Sequence, residues 1–401
     1  MRWFAFVVAL GCTVLVAQPL RVELTGIAVM PAETFAAGPP SGAYRTGAGQ
    51  PEFTSQPVQG FSSIRPAGRT PDDADWLALV DNGFGVRVNS PDSLLRLYRV
   101  RVNWARGMVA PQGPFIPLAD PNHVMRFHIV RDDTRERLLT GGDLDPESFL
   151  RMPDGSLWIG DEFGPFLAHF ASDGTLLAAP IELPGLRSPD FPDVAPPDAG
   201  QASTAKIRRS RGFEGLGASS GHRRLYAALE AGPISDPPST TRIIEFDPAV
   251  GAWTGSWWSY PLDAADRGVT ELIGLGEVFG ARCENHFLAV ERDNEQGEAA
   301  KWKRVFEVRL SPALSKAPMP LTVEKRLVAD LLDIANPAGL GGFPTTFRFP
   351  YITTESVWPT DPQTLVLVND NNYPASGGRG PMRDVTEFIR LRLPRELCSA
   401  P

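Results

Sequence analysis

The sequence has few of the side chains that make a catalytic or metal site recognisable by spacing alone. Its 401 residues include five histidines and three cysteines. No pair of histidines has ligand spacing on a recognisable element, and no cysteine spacing resembles a zinc site. A glycine-rich phosphate loop and a dinucleotide-binding fingerprint are missing as well. Any active site must therefore be built from other residues.

The chain also lacks an excess of positive charge and almost any helical periodicity. It has 39 basic and 47 acidic residues and a net charge of -8. This balance argues against a nucleic-acid partner and suits cation binding better. Residues 262–273 and 328–336 have the pattern of a helical turn or two. Beyond the N-terminus, no segment is long and apolar enough to span a bilayer.

The first 17 residues have the pattern of a secretory signal peptide. Arg2 precedes an apolar run of about fifteen residues, after which polarity returns, and cleavage is expected after Ala17. The alternative is a lipoprotein signal with Cys12 as the lipidated residue. Both readings predict an exported protein, and the first favours the periplasm or secretion. Cys283 and Cys398 would then be a pair in an oxidising compartment, either disulfide-bonded or as two buried free thiols.

Glycine and proline are abundant, at 38 and 39 residues, as expected for many short strands joined by tight turns. A hairpin-like phrase recurs five times, each with a short apolar second strand that ends in a carboxylate. The second strands of the five phrases, with the acidic residues that end them, run through residues 76–83, 157–162, 224–230, 286–293 and 364–372. Further strand-like runs follow most phrases, which gives four strands per repeat.

Four strands per repeat is the plan of a propeller blade, so the predicted fold is an all-β propeller. Extra strand material between residues 94 and 140 favours six blades, with five as the alternative. Strands at Arg21–Met30 and Val385–Leu393 are expected to share a blade and close the ring. The predicted domain is residues 61–401, preceded by an N-terminal strand and a Gly- and Pro-rich loop over 18–60.

In a propeller, equivalent residues of successive blades surround one axis, so the recurring acids are expected to converge. One ring begins the first strands, at Glu147, Glu214, Glu277 and Glu355, with Ser62 or Ser63 in the first repeat. A second ring ends the second strands, at Asp81, Asp161, Glu230, Glu291 and Asp370. Converging carboxylates repel one another unless they are protonated or bind cations. The competing interpretation is that each acid only satisfies turn amides.

Oxygen ligands of this kind suit calcium, or else magnesium or manganese. The predicted metal ligands are Glu147, Asp161, Glu214, Glu230, Glu291, Glu355 and Asp370. The predicted catalytic residues are Glu147, Asp161 and Glu214 together with Arg211 and Arg292, whose guanidinium groups would clamp an anionic substrate. For Arg211, the competing interpretation is a solvated basic loop.

These motifs together resemble the bacterial phytase-like family, also called esterase-like activity of phytase. The resemblance rests on residues 146–149, 160–165, 211–216, 229–230, 291–293, 355–356 and 369–374, and extends from about 55 to 393. It implies an exported phosphoric-ester hydrolase that acts on a small-molecule phosphate ester. The first repeat departs from the pattern, because Ser62 and Ser63 stand where the others place a carboxylate.

Three functions are compatible with this reading. The first is a metal-dependent phosphomonoesterase or phosphodiesterase, with cations that neutralise phosphate charge. The second is a calcium-dependent lactonase or other carboxylic-ester hydrolase, for which the chain offers Asn82, Asn369 and Asn371. The third is a non-catalytic binding propeller in which the acids hold structural calcium.

Overall fold

A computed structural model describes residues 21–47, 49–68, 74–192, 204–312 and 320–399. The predicted signal peptide and Cys12 lie outside these residues. Within them the chain is almost entirely β-structure, with one α-helix, α1 (Leu275–Phe279), and several short 3-10 helices. The 3-10 helices are Arg87–Asn89, Ser220–His222, Gly280–Cys283, Gly297–Ala299 and Leu340–Gly342. No helix in the described part is long and apolar enough to cross a membrane.

The strands form five antiparallel units, here called blades 1 to 5. Three strands come first: β1 (Glu23–Met30), β2 (Phe35–Ala36) and β3 (Gln56–Pro57). Blade 1 is β4 (Phe61–Pro66), β5 (Asp75–Val80), β6 (Arg96–Asn103) and β7 (Met108–Pro111), with β8 (Ile116–Pro117) paired to β6. Blade 2 is β9 (Pro146–Arg151), β10 (Leu157–Asp161), β11 (Phe166–Phe170) and β12 (Ile181–Glu182).

The remaining blades follow the same order from inner to outer strand. Blade 3 is β13 (Phe213–Ala218), β14 (Leu225–Leu229), β15 (Thr240–Asp247) and β16 (Ala252–Pro261). Blade 4 is β17 (Gly268–Gly274), β18 (His286–Arg292), β19 (Lys303–Leu310) and β20 (Leu321–Asp330). After β21 (Ile334–Ala335) and β22 (Thr346–Phe347), blade 5 is β23 (Thr354–Asp361), β24 (Thr364–Asn369), β25 (Thr386–Arg392) and β1.

The predicted closure of the ring is confirmed. Strand β1 pairs antiparallel with β25, so the two ends of the chain share blade 5. The inner strands contact one another in the order β4, β9, β13, β17, β23 and back to β4. Closure of this kind leaves the inner strands with only short edges, which face the axis and are protected by the neighbouring blades.

The described residues form five blades, so the preference for six was wrong and the alternative was right. The extra strand material between blades 1 and 2 forms no blade of its own. Instead it forms β8 and isolated bridges, such as Leu94 to Thr140 and Ala119 to Leu138. Only β8 pairs with a blade strand, and the bridges lie outside the named strands, so the segment adds no inner strand.

Strands in the middle of each blade are apolar on both faces because each blade packs between two others. In β18, Phe287 and Ala289 join the cluster shared with blade 3, whereas Leu288 and Val290 join the cluster shared with blade 5. The core therefore consists of layers between successive blades. This packing explains why the second strands read as continuous apolar runs rather than as alternating ones.

Cys283 and Cys398 form a disulfide, which resolves the alternative that the sequence left open. The bond joins the 3-10 helix after α1 in blade 4 to the chain that follows blade 5. It closes a loop with a sequence separation of 115 residues. Replacing both cysteines by serine should lower the free energy of unfolding by about 4 kcal/mol, because a long loop gains chain entropy when unfolded. Urea unfolding measures this loss.

A reducing agent serves as the control for the disulfide prediction. It should destabilise the wild-type protein by a similar amount and leave the double serine variant unchanged. Equal stability of the variant and the oxidised wild type would show that the bond contributes nothing.

Candidate active site in the central channel

Every blade has a bulge at the same place on its inner strand. At that point one residue of the inner strand has no partner on the second strand, so its register shifts by one. The five unpaired residues are Ser62, Glu147, Glu214, Thr270 and Glu355. A second equivalent set lies just beyond the bulges on the second strands: Asp81, Glu162, Glu230, Arg292 and Asp370.

Most members of these two sets interact electrostatically across the axis, and we call their carboxyl groups, together with the neighbouring carboxyl group of Asp145, the acidic centre. It comprises Asp81, Asp145, Glu147, Glu162, Glu214, Glu230, Glu355 and Asp370. Six of the eight are buried, whereas Asp81 and Glu147 are half-buried and so reach solvent. Residues from four blades thus place their charges together, as the propeller geometry predicts.

Glycines make room for these side chains on the inner strands. Gly60 has a φ of +68°, and a Cβ there would lie 2.1 Å from Oδ1 of Asp81. A Cβ on Gly268 would lie 2.5 Å from Oε1 of Glu230. Larger residues at these two positions would displace the carboxylates, so the glycines are part of the site.

Two arginines enter the acidic centre. Arg292 Nη2 lies 3.4 Å from Glu230 Oε1 and 3.5 Å from Glu355 Oε1, and its side chain is buried. Arg211 forms an ion pair with Oε2 of Glu230, and 26% of its side chain is exposed. Arg292 is therefore enclosed by carboxylates, while Arg211 has a surface that a ligand can contact.

Burial and mutual repulsion shift the pKa values of the carboxyl groups in the acidic centre. Burial, followed by neighbouring carboxylates such as Glu214, raises the pKa of Glu147 well above its ordinary value. Burial raises the pKa of Asp145 and Asp370 to about 6 and that of Glu355 to about 7. Burial alone would lower the pKa of Arg292, but the surrounding carboxylates raise it. The protein alone therefore does not neutralise these acids.

Unpartnered oxygens show where a cation fits. Among the described residues, buried oxygens without a hydrogen-bond partner include Glu162 Oε1, Glu230 Oε1 and Glu355 Oε2. Buried polar atoms are normally satisfied, so orphaned carboxylate oxygens at one place suit a bound metal ion. All the donors are hard oxygens, which favours calcium, magnesium or manganese.

The structure brings together most of the residues that the sequence assigned to the site. Glu147, Glu214, Glu230, Glu355 and Asp370 belong to the acidic centre, and Arg211 and Arg292 contact it.

Two assigned acids, Asp161 and Glu291, lie outside the centre, so their predicted placement was wrong. Each sits one residue before the position that faces the other blades. Asp161 accepts hydrogen bonds from the amides of Asp145 and Gly164, at 2.7 and 2.8 Å. Glu291 accepts a hydrogen bond of 2.8 Å from Lys325 Nζ and further hydrogen bonds from the side chains of Tyr260 and Trp302. The carboxylate of Asp161 is thus occupied within blade 2, and that of Glu291 is occupied by partners from blades 3 and 4.

The predicted position of Glu277 was also wrong. It lies on α1, where its Oε1 is 3.6 Å from Nε2 of His222. The inner strand of blade 4 begins earlier, and Thr270 occupies the bulge and donates to the carbonyl of Thr354 at 2.8 Å. The pattern of glycine two residues before the bulge, seen at Gly60 and Gly212, recurs at Gly268 and would have identified Thr270.

Asp145 was missed as a site residue, although it begins the most distinctive acidic stretch. It occupies the place that glycine takes in blades 1, 3 and 4, two residues before the bulge. Its carboxylate accepts hydrogen bonds from the amide and the side chain of Asn82, at 3.0 and 2.7 Å. A carboxylate in a glycine position is the signal that could have found it.

Arg65 closes the channel beneath the acidic centre. Its Nη1 lies 3.2 Å from Oε2 of Glu271, and both side chains are buried. The same carboxylate oxygen accepts a hydrogen bond of 2.8 Å from Ser356. This layer is internally paired, so its charged groups are not available to a ligand, unlike the groups toward the opposite end of the inner strands.

A cavity of about 500 Å³ opens at that end, beside Asp370. Asn371 lines it, and neither polar atom of this buried side chain has a hydrogen-bond partner among the described residues. Tyr373 and Gln296 contribute to other parts of its wall. The cavity offers a small polar molecule a route to the acidic centre.

Solved structures with similarity to this chain have low sequence identity, and they include a β-propeller domain. The periplasmic gluconolactonase PpgL of Pseudomonas aeruginosa is 13% identical, with a TM-score of 0.35 over 85% of this chain and 75% of that one. The Cps50 (Swd1) β-propeller domain of Myceliophteria thermophila is 10% identical, with a TM-score of 0.37 over 84% and 98% of the two chains.

A curated relative and a family model also match. An uncharacterized secreted protein of Arthroderma benhamiae is 28% identical over 124 residues, which span 26% of this chain and 24% of the relative. The phytase-like family model, described as esterase-like activity of phytase, matches residues 56–373. That range contains all five inner strands and every member of the acidic centre, so the chain belongs to the phytase-like family.

Proposed function

We propose that this protein is an exported, metal-dependent hydrolase of phosphoric esters whose active site is the acidic centre. The observation that carries the proposal is the convergence of eight carboxyl groups with unpartnered oxygens next to two arginines. Membership of the phytase-like family is consistent with a hydrolase. The predicted signal peptide and the disulfide support export to the periplasm or the medium.

The carboxylates of the acidic centre would hold the cations, with calcium the preferred ion. Bound divalent cations would neutralise phosphate charge and lower the pKa of a coordinated water. The ligands would be the five residues that form the closely spaced part of the centre: Asp145, Glu147, Glu162, Glu214 and Glu230. Asp81 and Glu147 are the members that reach solvent, so they border the position that a substrate would take.

The two arginines would have different roles. Arg211 is partly exposed and would bind phosphate oxygens of the substrate, as a guanidinium does well. Arg292 is enclosed and would position Glu230 and Glu355 rather than touch the substrate. Asn371, with its free amide, would accept or donate a hydrogen bond to the rest of a substrate in the cavity.

Hydrolysis assays test the proposal. Calcium-loaded protein should hydrolyse p-nitrophenyl phosphate, its bis-ester or phytate, and a chelator should abolish the turnover. Glu214→Gln should lower kcat/KM by at least about a thousandfold, because it removes a charged ligand from the centre. The matched control is Glu277→Gln, the same chemical change outside the centre, which should keep wild-type activity.

Three outcomes would overturn this function. Absence of metal-dependent turnover on all three phosphate esters would reject it. Hydrolysis of lactones without hydrolysis of phosphate esters would favour the lactonase alternative. Thermal stabilisation by calcium without any turnover would instead favour a binding propeller.

A further inference from the structure

Two groups of carboxylates within the acidic centre share one residue. Asp145, Glu147 and Glu162 each place an oxygen within 4.8 Å of the others, and so do Glu162, Glu214 and Glu230. Two oxygens bound to one calcium ion at roughly 2.3–2.6 Å lie at most about 5 Å apart. Each group therefore has the spacing of one cation site, and Glu162 belongs to both.

Unpartnered oxygens independently indicate a ligand. Glu162 is 4% exposed, and its Oε1 has no hydrogen-bond partner among the described residues. Glu230 is 1% exposed, its Oε2 pairs with Arg211, and its Oε1 accepts no hydrogen bond, with Nη2 of Arg292 at 3.4 Å. An orphaned oxygen on the shared residue and another in the second group are expected if cations complete both sites.

The charge of the centre also favours more than one cation. Eight carboxyl groups and the two arginines leave six negative charges uncompensated when all are ionised. One divalent ion removes two of these charges, which leaves a centre that repels a phosphate ester. A second ion removes two more and makes the approach of an anion less costly.

We infer that the acidic centre binds two divalent cations bridged by the carboxylate of Glu162. The first site uses Asp145, Glu147 and Glu162, and the second uses Glu162, Glu214 and Glu230. This inference deepens the proposed function and rests on its cation-binding part. A pair of cations about 3.5–4 Å apart suits phosphoryl transfer, because it stabilises both the attacking and the leaving oxygen.

Binding stoichiometry and magnetic coupling test the inference without any substrate. Titration calorimetry of the metal-free full protein with calcium should give two ions per chain. With manganese, electron paramagnetic resonance should show the exchange-coupled spectrum of two ions that share a ligand. One ion per chain, or two uncoupled ions, would overturn the inference.

Single substitutions separate the shared ligand from the others. Glu162→Gln should lower the affinity for both ions by more than the roughly 10–100-fold that loss of an outer-shell partner causes. It should also remove the exchange coupling between the two manganese ions. Glu147→Gln and Glu230→Gln should each leave one ion bound, which keeps the test valid if the Glu162 variant fails to fold. Glu277→Gln should still bind two coupled ions. Two coupled ions in the Glu162 variant would also refute the bridge.

The outcomes distinguish this inference from the proposed function. Phosphate-ester turnover with a single bound ion would reject the bridge and leave the function standing. Two coupled ions without turnover on any phosphate ester would support the bridge and reject the function.

Discussion

Replacing Arg292 by methionine (R292M) should destabilise the metal-free protein by about 3–5 kcal/mol at pH 8. Arg292 is buried and lies 3.4 and 3.5 Å from carboxylate oxygens of Glu230 and Glu355. Removing one partner of a buried ion pair leaves the other charge uncompensated, and the loss is large for that reason. Urea unfolding in the presence of a chelator measures the change.

The R292M prediction has a control within the same blade. Arg309 lies 3.6 Å from Glu324, and both side chains are exposed. Arg309→Met should therefore change the stability by less than about 1 kcal/mol. Calcium should reduce the loss of unfolding free energy in R292M, because a bound cation replaces part of the missing positive charge. A metal-free R292M protein as stable as the wild type would show that the carboxylates do not depend on Arg292.

The metal-free protein should lose stability as the pH rises from about 4 to 8, and calcium should reverse the trend. Burial raises the pKa of Asp145 from 3.8 to about 6 and that of Glu355 from 4.5 to about 7. In the unfolded chain these groups ionise near their ordinary values. Their contribution is therefore fully present below pH 4 and is lost as the pH passes the folded-state values.

The expected size of this pH effect is large. A shift of about two units, as for Asp145, corresponds to about 3 kcal/mol, and several groups contribute. Unfolding free energies at pH 5 and pH 8, with chelator and with calcium, measure the effect. Calcium should stabilise the protein much more at pH 8, where the carboxylates are free of protons. Equal stability at both pH values in chelator would contradict the prediction.

The repeated hairpins allowed the fold to be predicted because blade packing produces a recognisable local pattern of apolar residues. A strand between two blades must be apolar on both faces, and β14 and β18 show this as continuous runs. The number of blades was harder to predict from the sequence, since the strand-like segments at residues 94–140 do not form a blade of their own. Local pattern identifies a strand but does not say whether it starts a new inner position.

The acids of the site were predictable as a group and less so one by one. Asp161 and Glu162 are neighbours, and successive strand residues face opposite sides. Only the bulge at Glu147 decides which of the two faces the other blades. The same ambiguity placed Glu291 in the site beside its neighbour Arg292. Glu277 was chosen in place of Thr270 for another reason, because the inner strand of blade 4 begins earlier in the chain than predicted.

Local patterns along the chain were enough to predict a ring of antiparallel hairpins with carboxylates at equivalent places, because periodicity and turn residues are local properties. Tertiary structure decided which carboxylates share a space, how many blades surround them and that Glu162 lies in two groups at once. These features depend on contacts between inner strands that are far apart in the chain. Burial and mutual repulsion act only after those strands have met, so the chemistry of the centre exists only in the closed ring.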